Sequence, residues 1–67
     1  MYEIIKVNRW FKDGARVTSE KTLKRDAGIA EVMNIAKRQG ADIDEVLEEL
    51  EEYGITSFKG YMIAKNA

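Results

Sequence analysis

Residues 1–22, MYEIIKVNRWFKDGARVTSEKT, decide the fold. The run is rich in β-branched and aromatic residues, has no proline, and is broken once by turn-forming residues at Lys12-Asp13-Gly14. It reads as a β-hairpin with strands over about residues 2–11 and 15–23. Adjacent strand residues point to opposite faces, so only one of Trp10 and Phe11 can enter a core beneath the sheet. Register chooses between them. A two-residue turn at Asp13-Gly14 sets Phe11 against Arg16, Val7 against Glu20 and Lys6 against Lys21, which mixes charge into the apolar face. A three-residue loop with Gly14 in the left-handed region sets Lys6 against Glu20 and Trp10 against Arg16. One face then collects Ile5, Val7, Phe11, Ala15 and Val17. This second register is the expected one, with Phe11 in the core and Trp10 outward beside Tyr2 and Ile4.

Beyond the hairpin, Lys24-Arg25 leads to Asp26, an expected helix N-cap. Ile29, Val32, Met33 and Ala36 then form one helical stripe, ending in Lys37, Arg38 and Gly40. Asp42, with Glu45 three residues on, opens a second helix whose stripe is Ile43, Val46, Leu47 and Leu50, and Gly54 ends it. Its outer face carries Glu45, Glu48, Glu49 and Glu52, flanked by Asp44 and Glu51. Such like charges four apart weaken a helix, so stability gives little reason for them. Residues 55–65 read as a third strand with Phe58 and Met62 inward. The expected fold is α+β in the order β-β-α-α-β, a three-stranded antiparallel sheet with both helices on one face. It forms one small domain over residues 1–67.

Sixty-seven residues bury a limited core, and a chain without cysteine has no disulfide to reinforce it. Histidine is absent too, which removes the usual zinc, general-base and triad chemistry. The glycines form no phosphate cradle. The expectation is therefore a protein that is not an enzyme and has no catalytic residue, metal or cofactor. No signal peptide and no 18-residue apolar run is visible, which gives the expectation of a cytoplasmic protein without a membrane span. The net charge of −1 hides a split. Residues 1–40 carry nine Lys/Arg against five Asp/Glu, and residues 41–67 two against seven.

Three kinds of partner follow from this pattern. Tyr2, Ile4, Trp10 and Arg16 on an open sheet face match the composition of protein interfaces. The carboxylates of Glu45, Glu48, Glu49 and Glu52 resemble a row of phosphates suited to a basic groove. The alternative is a small nucleic-acid-binding regulator that uses Lys6, Arg9, Arg16, Lys21, Lys24 and Arg25 beside stacking aromatics. A pI near 5.4 argues against nucleic acid. A homodimer through sheet edges or the Trp10 face is a third option. Nothing in the pattern suggests a small-molecule substrate.

The run Glu3-Ile4-Ile5-Lys6-Val7, then Trp10-Phe11-Lys12, a turn, Ser19-Glu20-Lys21-Thr22 and Arg25-Asp26, resembles the Dmd antitoxins of T-even-type bacteriophages. The resemblance covers about residues 1–26. It implies a cytoplasmic antitoxin of a toxin–antitoxin system, acting in an infected bacterium. Such a protein binds a host ribonuclease toxin of the RnlA/LsoA (RNase LS) type by direct protein–protein contact. It fills the groove through which RNA enters, and so acts as a ribonuclease inhibitor that preserves phage mRNA stability in evasion of host defence. The family's first helix carries a tryptophan near its start where this chain has Ile29-Ala30, so Ile29 or Met33 is expected to take its anchoring place.

Overall fold

The computed structural model describes residues 1–66. It shows β1 (Tyr2–Lys12), β2 (Ala15–Ala27), α1 (Ile29–Arg38), α2 (Ile43–Tyr53), β3 (Ile55–Phe58) and β4 (Tyr61–Lys65). The fold is α+β, with a four-stranded antiparallel sheet in the order β2-β1-β4-β3. The expected third strand is two strands, split at Lys59-Gly60, where φ is 46° and 81°. Two consecutive positive φ values make a tight turn whose twist suits a hairpin. Lysine rarely adopts that conformation, so the turn leaves little trace in the sequence.

The hairpin register also differs from expectation. Asp13 and Gly14 both have positive φ, 51° and 78°, and form a two-residue turn with Lys12 opposite Ala15. Phe11 therefore faces Arg16, Trp10 faces Val17, and Lys6 faces Lys21. Asp-Gly is well suited to this turn, whose twist matches that of the flanking strands. The like-charge pair is relieved sideways, because the Lys6 ammonium sits 4.2 Å from the centre of the Tyr61 ring. Gly14 is expected to be sensitive. Gly14→Ala forces a side chain into left-handed backbone and should cost about 1 kcal/mol, read from the urea midpoint.

The core lies on the face opposite to the expected one. Ile4, paired with Ile63, is buried together with Ala27, Val32, Ala36, Val46 and Leu50. Both helices thus cover one face, the one bearing Ile4. Tyr2, Phe58 and Tyr61 pack at its margin. Phe11, expected in the core, is 73% exposed, and Ala15 is exposed as well. Met62, expected inward, pairs with Ile5 on the face away from the helices, and the turn gives its inward place to Tyr61 and Ile63. Twin irregularities beside Ile4 keep the face correct, since β2 carries extra residues there and ends with Ala27 buried.

Local chemistry sets the helix ends. Asp26 lies in β2 and is not the N-cap of α1; Gly28 is, without a side-chain hydrogen bond. Lys24 reaches from β2 to both carboxylate oxygens of Glu31 at 2.6 and 2.7 Å, tying strand to helix. Asp42 caps α2 by accepting from the N–H groups of Asp44 and Glu45 at 3.0 and 3.3 Å. Asp42→Ala should lower stability by about 1 kcal/mol, measurable as a shift in urea midpoint at constant slope. Gly54 ends α2 with φ 74°, and its carbonyl accepts from the N–H of Lys65 at 2.7 Å.

Candidate functional site

Strand pairing leaves one part of the hairpin unsupported. The β1–β4 register ends at Lys6 opposite Tyr61, and the N–H of Val7 donates to the carbonyl of Gly60 at 2.7 Å. From Asn8 to Ser19 the ribbon has no third strand, and it forms an arm on a molecule measuring 39 × 23 × 21 Å. Exposure follows directly. Trp10 is 44% and Phe11 73% exposed, on opposite faces of the arm by strand alternation. Arg9, Lys12 and Arg16 stand beside them in the exposed arm, with Asp13 at its tip. Arg16 lies across from Phe11, not from Trp10 as expected.

At the base of the arm is a cleft of about 280 Å³, lined in part by Val7, Arg9, Glu20, Gly60 and Met62. A second groove of about 410 Å³ lies between the helices and the sheet end, lined by Tyr2, Ile29, Leu47, Leu50, Glu51 and Lys65. This groove brings together Tyr2 and Ile29, which the sequence suggested separately. Met33 is half-buried along α1. Ile4 is withdrawn from any surface role, because only 3% of it is exposed. Strand alternation puts Trp10 on the helix-bearing side, the same side as Ile4, but outside the core cluster.

The acidic face of α2 is narrower than expected. Glu45, Glu48 and Glu52 are exposed, as are Asp44 and Glu51. Glu49 is half-buried, and its carboxylate accepts from the hydroxyl of Thr56 at 2.8 Å. That bond satisfies Thr56, the one buried polar residue among the described residues, so Glu49 serves the fold. Phe11 is the surface residue that the expected register missed, and the Asp13-Gly14 dipeptide was the signal for it. Among the described residues, no group of three or more His, Cys, Asp or Glu is placed to hold a metal ion. No described helix is long and apolar enough to cross a membrane. No family model, curated protein or solved structure matches this chain.

Proposed function

We propose that this chain is a protein-binding inhibitor of the phage antitoxin kind, which occupies the RNA-binding groove of a host ribonuclease toxin of the RNase LS type. It has no catalytic role of its own and works in the cytoplasm of the infected cell. The observation that carries the reading is the arm, which exposes Trp10 and Phe11 on its two faces past the end of the pairing with β4. Large aromatics beside arginine are the residues that contribute most to protein interfaces. An arm thin enough to enter a groove suits occlusion better than a flat face does. The exposed carboxylates of Glu45, Glu48 and Glu52 add a charge pattern attractive to a surface built for phosphates.

The test is binding and rescue. Purified protein is expected to form a stable complex with an RnlA- or LsoA-type ribonuclease, and its expression to restore growth of cells producing that toxin. Absence of both removes the proposal. A second reading, RNA or DNA binding, draws on the cluster of Arg9, Lys12 and Arg16 around the same two aromatics. It requires affinity that falls steeply with salt.

A further inference from the structure

The outer edge of β2 is unpaired, and its charges complement one another. Hydrogen-bonded and non-hydrogen-bonded pairs alternate along an antiparallel ladder. The two-residue turn makes Lys12 and Ala15 the first hydrogen-bonded pair, so Val17, Ser19 and Lys21 direct their backbone groups toward β1. Arg16, Thr18 and Glu20 direct theirs outward. The far side of β1 agrees: Val7, opposite Glu20, donates its N–H away from β2 to Gly60. Because β2 is an outside strand, those outward groups meet no neighbour.

Long edges are normally blunted by charge, proline or bulges. Here the irregularities opposite Ile4 and the basic Lys24 and Arg25 guard the basal half of β2. Residues 15–22 run unbroken. Within the chain Arg16 faces Phe11 and Glu20 faces Val7, and the ion pair formed among the described residues is Lys24–Glu31. Two opposite charges four residues apart on a free edge are therefore left without partners of opposite sign.

We propose that two copies of the chain pair through this edge, antiparallel about a two-fold axis at Thr18. Arg16 then lies opposite Glu20 of the second copy, and Glu20 opposite Arg16 of the second copy. Thr18 meets its own equivalent, Val17 meets Ser19, and Ala15 meets Lys21. An axis at Arg16 or at Glu20 would set like charges face to face, and one at Val17 or Ser19 would leave both without an opposite charge. Opposite charges across strands are favourable and like charges are not, so the Thr18 register is selected. The axis stands perpendicular to the sheet, which places the helices of each copy beyond the tip of the other's arm. The product is one continuous eight-stranded sheet. This assembly is held by the edge of the arm and does not rest on the inhibitor reading.

One strand pair buries much less than the ~1,600 Å² of a standard interface, so the association is weak. Light scattering over about 10 μM to 1 mM should show the mass rising from 7.7 kDa toward twice that value. Arg16→Glu or Glu20→Arg alone should raise the dissociation constant about tenfold or more, with circular dichroism unchanged. An equimolar mixture of the two variants should restore association, because each then meets its opposite charge. A wild-type chain that stays monomeric throughout overturns the proposal. So does a mixture no better associated than either variant alone, including the case in which the edge accepts a strand from another protein.

Discussion

Replacing Ile63 with alanine should destabilise the domain by about 3 kcal/mol. Ile63 is completely buried, lies opposite Ile4 in the sheet, and belongs to the cluster that holds both helices to it. Removing its three outer carbons leaves a cavity between two layers that cannot close without moving a strand or a helix. At roughly 0.05–0.15 kcal/mol per residue, a chain of this length has only about 3–10 kcal/mol in total. The variant should therefore lose about a third or more of that stability, which urea titration followed by circular dichroism would show. Phe11→Ala is the matched control. With 73% of Phe11 exposed, its loss should change stability by less than about 0.5 kcal/mol. A three-residue hairpin loop would put Phe11 in the core, and Phe11→Ala would then be the costly change.

The second large effect concerns binding. Trp10→Ala should weaken the complex with the ribonuclease by about 2 kcal/mol or more, roughly thirtyfold, measured by calorimetry or surface plasmon resonance. Stability should change little, since Trp10 is half-exposed and lies outside the core cluster. Unchanged affinity would remove the arm from the interface and leave the acidic face of α2 as the remaining candidate. Loss of fold would instead show that Trp10 covers apolar surface at the base of the arm.

Much of the local structure was legible in the chain. The helical stripes hold at Val32, Ala36, Val46 and Leu50, although Ile29 is exposed and Ile35 packs against the core, and the Asp42 cap and the Gly40 and Gly54 stops appear where short-range chemistry places them. These features depend on neighbours within four residues, which a linear sequence displays. The acidic face of α2 was equally readable, because helix periodicity alone puts Glu45, Glu48 and Glu52 outside.

The faces of the sheet were not legible in the same way. Both faces of β1 carry apolar residues, Tyr2 and Ile4 on one and Ile5 and Val7 on the other, so alternation did not choose between them. Cross-strand charge argued for one register, and the preference of Asp-Gly for a two-residue turn won. Its cost was met by Tyr61, fifty-five residues away from Lys6 and placed beside it only by the sheet. The same holds for Glu49, which sequence groups with the surface acids and the fold assigns to Thr56. Composition and short-range pattern were enough for the α+β class, the two helices and their stops, and a hairpin turning somewhere within Lys12-Asp13-Gly14. Which face of that hairpin is buried, and that it outruns the sheet as an arm, came from long-range packing. Those outcomes depend on where β4 ends and where the helices lie, and both are set by contacts between residues far apart in the chain.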